Sequence, residues 1–273
     1  MSKFSRKIRG RFRSLVHIIR AGVFYWLKDE ISQRPIIVLG APNSGTTMFV
    51  RALDQHPDLV NRSEERVLWN PRFHEQELTS DYRSAEDASA WKKFVIQGNF
   101  VYFYRVLGHK RIVNKHPENS LRIEFLQRIF PEAYFVHLLR DGRAVVNSNL
   151  KRSSSEKPFA GWVMPPDWEN YEHKETAEQF AYMWKCCVDT IQAAAPKLNN
   201  FKEIRYEDLA AGQEEIFRDL FQWLQVTADE RVFTRMPRVE NRNFKWQQNL
   251  AARDLELIEK CAGDTLRRNK YID

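Results

Sequence analysis

The 273-residue chain is 43% hydrophobic and 29% charged, a balance that excludes disordered and fibrous classes and fits one large globular domain or two small ones. Its net charge of +7 does not point to nucleic acid, because seven Lys and Arg with no acid fall in residues 1–20, and the remainder matches its 36 acidic residues with as many basic ones. Three cysteines (Cys186, Cys187, Cys261), an odd count without C-x-x-C or Cys/His spacing, give no disulfide framework or zinc site and make a reducing compartment the default.

The basic segment runs into residues 15–27, LVHIIRAGVFYWL. This apolar run is too short to span a bilayer, is interrupted by His17 and Arg20, and precedes no small-residue cleavage site. A cytoplasmic protein is therefore expected. The favoured reading of residues 1–34 is a basic helical extension that packs its apolar face on the domain and leaves its arginines in solvent. The alternative is a helix lying on an anionic membrane or a partner subunit.

A single domain is expected over residues 35–273. A short apolar strand at 36–39 opens it and leads into Gly40-Ala-Pro-Asn-Ser-Gly-Thr-Thr47, then into a helix at 46–55. Glycines at 40 and 45 let successive N–H groups turn inward as an anion nest, the helix start adds its positive end, and Ser44, Thr46 and Thr47 add hydroxyls. A nucleotide-hydrolysing loop carries lysine where this chain has Thr46. His56, near a turn, is expected to cap or pack.

Residues 62–108 are rich in aromatics, most of them expected in the core and a few along an acceptor pocket. Further strands are expected at 111–114, 134–139 and 201–205, and helices at 119–129, 144–151, 176–195, 213–224 and 252–262. Residues 153–172, with Pro, Gly and Trp and no periodicity, read as a covering loop. Strands alternating with helices predict an α/β fold, a P-loop-type three-layer sandwich with a central parallel sheet flanked by helices. Ligands in such sheets sit beyond the carboxyl ends of the strands, where both Gly40–Thr47 and Arg140–Ser148 fall.

The strand at 134–139 delivers Arg140, which can meet a phosphate with two parallel hydrogen bonds. Ser148 and Arg152 follow one helical turn apart on one face and can close on the same anion. A nucleotide hydrolase would want an acid for magnesium at this strand end, where here a cation, Arg140, precedes Asp141, so the pattern suits a second phosphate without metal.

On these residues the chain resembles the sulfotransferase family that uses 3′-phosphoadenosine 5′-phosphosulfate. Its G-x-P-x-S-G-T-T loop is similar to the family's 5′-phosphosulfate loop, and R-D-G-R-A-V-V-N-S (140–148) to its 3′-phosphate element. IRYEDL (204–209) resembles the strand whose tyrosine, here Tyr206, approaches the adenine. NFKWQQNL (243–250), with Lys245, resembles the closing segment, and LDQHPDLVNRSEERV (53–67) and VNKHPENS (113–120) resemble the tyrosylprotein-type and bacterial branches.

The resemblance runs from about residue 35 to the end. It implies 3′-phosphoadenosine 5′-phosphosulfate as co-substrate, with Asn43, Ser44, Gly45, Thr46, Thr47, Arg140, Ser148, Arg152, Tyr206 and Lys245 as its binding residues. It also implies Glu64 as catalytic base and Lys115 on the transferring group, with His116 as the other candidate base. The expected acceptor is a hydroxyl or amine of a small, partly apolar molecule. A tyrosyl peptide, a donor-binding protein without turnover and a P-loop kinase are the alternatives.

One departure stands out. The family usually carries Arg or Lys where this chain has Asn43, and a neutral amide makes hydrogen bonds roughly half as strong as a cation's. Either Lys115 carries that load, or Lys157 or Arg143 swings in, or the chain binds donor with little catalysis. The first is the expectation.

Overall fold

The computed structural model describes residues 15–16, 18–64, 80–153, 163–227 and 229–273. Five strands form one sheet: β1 (Ile36–Leu39), β2 (Leu59–Asn61), β3 (Arg111–Lys115), β4 (Tyr134–Leu139) and β5 (Phe201–Arg205). They lie in the order β2-β3-β1-β4-β5, every pair parallel. β1, β3 and β4 are buried along their whole length, as strands covered on both faces must be; β1 and most of β4 accordingly read as apolar runs, whereas β3 (RIVNK) buries Arg111, Asn114 and Lys115 as well.

The helices, in chain order, are α1 (Thr46–Leu53), α2 (Ala90–Val106), α3 (Ile123–Ile129), α4 (Gly142–Leu150) and α5 (Thr176–Ala194). α6 (Tyr206–Ala211), α7 (Gln213–Trp223), α8 (Glu230–Arg235), α9 (Lys245–Asn249) and α10 (Ala252–Arg268) complete the chain. One face of the sheet packs Ile36 and Val38 against Phe49 and Leu53 of α1 and Phe217 and Phe221 of α7. The other packs Ile37 and Leu39 against Phe100 of α2, Leu126 of α3 and Ile191 of α5. The predicted three layers are there.

The short helices α6, α8 and α9 were not expected and α10 runs past its expected end at 262; three further elements differ from expectation for a physical reason. β2 was missed because three residues, Leu-Val-Asn, are too few to show alternation. The helix expected at 119–129 is a 3₁₀ turn, Pro117–Leu121, followed by α3. The turn is held inward because Ser120 Oγ accepts from the Gly40 N–H (3.0 Å) and donates to the Gly40 carbonyl (3.1 Å). α2 showed no helical period because it is apolar on opposite sides. Phe100 meets Phe130 inward, while Tyr102 meets Phe24 of the preceding chain.

That preceding chain, helical over residues 18–25, lies across α2. Apolar Ala21, Phe24 and Tyr25 pack on the domain as expected, but Arg20, expected in solvent, is turned inward with them. Arg20 faces the domain, donating from Nη2 to Asn99 Oδ1 (2.6 Å) with its guanidinium 4.3 Å from the Tyr102 ring centroid. Ala21 is fully buried, whereas Ile19, Val23 and Trp26 face outward. The crossing is tight: a Cβ at Gly98 would stand 2.3 Å from the Ala21 carbonyl oxygen. Gly98→Ala is therefore expected to destabilise the fold by about 1–3 kcal/mol. A thermal melt checks this, at about 2–4 °C per kcal/mol for a chain of this size. An unshifted midpoint would mean the crossing is looser than drawn.

Candidate active site

The loop between β1 and α1 is shaped by backbone that few residues adopt. Gly45, at φ 100, is the N-cap of α1, and its carbonyl accepts from Met48 and Phe49. Any Cβ there would meet the Tyr206 ring at 2.9 Å, so glycine is required both by conformation and by close approach. Asn43 also sits in the left-handed region, at φ 68, which asparagine tolerates better than most residues. The first-turn N–H groups of α1 lack intrahelical acceptors and lie at the positive end of the helix. The Ser44 hydroxyl, 1% exposed, has no hydrogen-bond partner. A loop with unsatisfied donors of this kind fits an anionic group.

β4 places Arg140 beside that loop. Its Nη1 donates to the Asn43 carbonyl (3.0 Å) and its Nε to Asn243 Oδ1 (3.2 Å), while its guanidinium stacks 4.2 Å from the Tyr206 ring centroid. Burial lowers its pKa, a desolvation cost that pairing with an anion would offset. α4 brings Ser148, Lys151 and Arg152 to the same opening, and the stretch before α9 brings Arg238, Glu240, Arg242 and Lys245. Ser148 Oγ donates to the Ala144 carbonyl (2.8 Å), leaving its lone pairs free for a donor and its rotor able to turn.

The loop, Arg140 with α4, and the 238–245 stretch all line one cavity of about 920 Å³. Its wall also holds Lys115 and Glu64. Lys115 stands at the end of β3, across from Val38 of β1. Glu64 reaches it because the chain after β2 keeps pairing with β3: Arg62 N–H donates to Val113 O (2.8 Å) and Glu64 N–H to Lys115 O (2.9 Å). The two side chains form an ion pair, Lys115 Nζ to Glu64 Oε1, with Lys115 almost buried and the Glu64 side chain 57% exposed. A nearly buried ammonium faces the cavity beside a carboxylate open to it, which places a cation and a base at one point.

Of the residues expected at the site, Asn43, Gly45, Thr46, Thr47, Glu64, Lys115, Arg140, Ser148, Arg152, Tyr206 and Lys245 line the cavity. Ser44 lies behind its wall. His116 does not reach it and faces Glu118, Nδ1 to Oε2 at 3.5 Å. Arg143 is committed elsewhere: it pairs with Asp141 (2.8 Å), donates to the Tyr271 carbonyl (2.7 Å) and lies 4.1 Å from the Trp246 ring centroid, so it is not a spare cation for the loop. Lys157 lies outside the described residues. None of the described aromatics between residues 80 and 104 lines the cavity; Trp69 and Phe73 are outside the described residues. His56 packs as expected, its Nδ1 accepting from Asp58 N–H (3.1 Å) and its ring against Phe221.

Sequence reasoning missed Lys151, Arg238 and Arg242, although the density of basic residues around positions 151 and 238–245 was a usable signal. It also missed what Asn43 does. Asn43 Nδ2 donates to Asn149 Oδ1 (2.5 Å), and Asn149 Nδ2 reaches the Pro42 carbonyl (3.4 Å), a link between residues 106 apart that ties the loop to α4. Asn149→Ala removes the link from a fully buried position behind the cavity wall. The expected result is adenosine 3′,5′-bisphosphate bound about 5–10-fold more weakly, from about 1 kcal/mol for the lost hydrogen bond; isothermal calorimetry measures it, and unchanged affinity would make the link incidental.

Asp81 joins the 62–108 segment to the 153–172 segment. Its N–H donates to Met164 O, its carboxylate accepts from Met164 N–H (2.8 Å each) and from Arg122 Nη2 (3.0 Å). Burial, with Glu118 nearby, raises the Asp81 pKa. Among the described residues no group of three or more His, Cys, Asp or Glu is placed to hold a metal, and no helix is long and apolar enough to cross a membrane.

The sequence model of the Sulfotransferase family matches residues 35–230. Over 205 residues the chain is 25% identical to protein-tyrosine sulfotransferase A of Caenorhabditis elegans, covering 72% of this chain and 51% of that protein. Over 158 residues it is 28% identical to the omega-hydroxy-beta-dihydromenaquinone-9 sulfotransferase of Mycobacterium tuberculosis, covering 56% of this chain and 38% of that protein. The chain thus spans about half or less of the length of these relatives. The fold is shared with the sulfotransferase domain from the curacin biosynthetic pathway (TM-score 0.63, 16% identity, 85% of this chain and 97% of that one). It is shared also with the sulfotransferase domain from the Synechococcus PCC 7002 olefin synthase (TM-score 0.54, 17% identity, 84% and 94%).

Proposed function

The chain belongs to the Sulfotransferase family, and on that premise we propose that it moves a sulfuryl group from 3′-phosphoadenosine 5′-phosphosulfate to a hydroxyl or amine of a small-molecule acceptor. The observation that carries this reading is one cavity walled by an amide-lined loop, by an arginine–serine–arginine cradle and by the Lys115–Glu64 pair. At about 920 Å³ it stands near the upper end of ligand pockets, with room for a nucleotide and an acceptor together.

In this reading the loop over Asn43–Thr47 holds the 5′-phosphosulfate on main-chain N–H groups and hydroxyls. Arg140, Ser148 and Arg152 hold the 3′-phosphate, and Tyr206, already braced by Gly45 and Arg140, borders the adenine. The acceptor oxygen or nitrogen attacks sulfur while the bond from sulfur to the bridging phosphate oxygen breaks. The acceptor's proton passes to Glu64, and Lys115 neutralises the charge gathering on the departing oxygen. Donor binding therefore draws Lys115 away from Glu64 and frees the carboxylate to act as a base. Lys115 takes the load that Asn43 cannot, while Asn43 serves the loop's shape through Asn149.

The relatives' names place their acceptors at a tyrosine and at an ω-hydroxylated menaquinone, both hydroxyls, which favours O-sulfation here. A tyrosyl peptide is the second reading, favoured by the match to the protein-tyrosine enzyme across 72% of this chain. The test is to incubate the chain with sulfur-labelled donor and separate pools of hydroxylated metabolites, amines and tyrosyl peptides, following release of the bisphosphate. Label in a small-molecule pool supports the proposal and label in peptide the second reading. Donor binding without release from any pool would mean a binding protein without turnover.

A further inference from the structure

The helix at residues 18–25 buries one side and offers the other. Toward α2 it presents Ala21, Phe24, Tyr25 and Arg20, and all four are engaged there. Away from α2 it presents Val16, Ile19, Val23 and Trp26, at helical spacing and 45%, 59%, 59% and 78% exposed, with Leu15 and Leu27 beside them. Among the described residues from 15 to 27 no charged side chain interrupts this outer stripe, since Arg20 is turned inward. A helix apolar on both sides is one whose outer side is covered by something.

The stripe continues onto the domain. Trp26 packs edge-on to Tyr25 (5.3 Å), Tyr25 against Phe94 (4.8 Å) and Phe94 against Trp91 (5.6 Å), and Trp91 is itself half exposed. Two exposed tryptophans thus stand at the ends of one ring cluster. Indole rings of this kind settle at the boundary between acyl chains and headgroups. Immediately before the stripe come Lys3, Arg6, Lys7, Arg9, Arg11 and Arg13, with no acid in residues 1–20. Apolar surface with tryptophan, adjoined by like positive charge, matches an anionic lipid surface in both terms. A second copy of this chain would bring the same positive segment and repel it.

We propose that this face is a docking surface for an anionic membrane: the outer stripe enters the headgroup–acyl boundary and the basic residues pair with acidic headgroups, holding the enzyme on the lipid without spanning it. The proposal is independent of which acceptor the cavity takes.

The experiment is co-sedimentation of the full chain with vesicles of phosphatidylcholine alone and of phosphatidylcholine with one-quarter phosphatidylglycerol. Binding to the mixed vesicles, at least tenfold above the neutral ones, is expected. Ile19→Glu/Val23→Glu is expected to lower it at least about tenfold, and Arg6→Gln/Lys7→Gln/Arg9→Gln to lower it on the order of a hundredfold, near a factor of five per charge removed. Both variants should keep the wild-type melting temperature and bisphosphate affinity, because the altered side chains point away from the domain or precede it. No preference for anionic vesicles overturns the proposal. So does binding that depends on the basic residues alone and ignores the double glutamate. A dimer seen by sedimentation velocity and dissolved by Ile19→Glu/Val23→Glu, with no vesicle binding, overturns it in favour of a self-interface.

Discussion

Glu64→Gln is expected to bind adenosine 3′,5′-bisphosphate as tightly as the wild type and to turn over about 10² to 10⁴ times more slowly, the range for removing a positioned general base. The amide keeps the size of the side chain and an oxygen that can accept from Lys115 Nζ, so the cavity wall stays in place while the proton acceptor is lost. Glu64 sits at φ 55 directly after the backbone bond to Lys115 O, and that fixed backbone is what aims the carboxylate. A glutamate that was only a solvated surface charge would leave kcat unchanged, and that outcome removes Glu64 from the mechanism. Lys115→Met serves as the companion. It is expected to cost about 10² to 10³ in kcat, the scale of one lost electrostatic donor at a developing negative charge. The two variants separate in one readout: with the bisphosphate product, Lys115→Met weakens affinity and Glu64→Gln does not. Their combination should fall well short of the product of the single effects, because each residue works on the same transfer step.

The second large effect is at Arg140. Arg140→Ala is expected to weaken the bisphosphate by about two to three orders of magnitude. Charge-assisted hydrogen bonds contribute about 1.5–3 kcal/mol each, and this guanidinium offers a phosphate more than one. The same change withdraws the donor to the Asn43 carbonyl and the partner stacked on Tyr206, so the loop loses a brace as well. Arg140→Lys separates the two contributions. It keeps the charge but not the planar fork, and should recover only part of the affinity. Adenosine 5′-phosphate, which lacks the 3′-phosphate, supplies the control: it should bind wild type and Arg140→Ala within a few-fold of each other. Equal loss for both nucleotides would mean that Arg140 acts on the loop and not on the 3′-phosphate.

Much of the fold was legible because β1 and β4 are short, mostly apolar and covered on both sides, and the phosphate loop is a local motif whose glycines and hydroxyls lie within eight residues. The loop, the Arg140 turn and Tyr206 each follow a strand that could be recognised by itself. β2 could not, and β2 is what carries Glu64 to Lys115. The separate roles of Glu64 and Lys115 came from resemblance at the sequence level, and their contact had no local signal behind it. α2 was hidden for the opposite reason, since a helix packed on two sides has no polar face to set a period. The described aromatics of α2 pack it against α3 and the N-terminal helix, whereas Trp69 and Phe73 lie outside the described residues.

Composition, the loop motif and the strand-end arginine, read without coordinates, determined an α/β sheet and carried the proposal of an anion site beyond its carboxyl edge, since both depend on residues close together in the chain. Only the tertiary structure decided the rest. It placed a nearly buried lysine against a glutamate that follows a separate strand, tied Asn43 to an asparagine on α4, and locked Arg143 into an ion pair where it is no use to the loop. It also turned Arg20 inward, because Asn99 and the Tyr102 ring offer the guanidinium more than solvent does, and so set the apolar stripe facing out. Pairings across tens of residues depend on how helices and strands pack, and no local pattern records them.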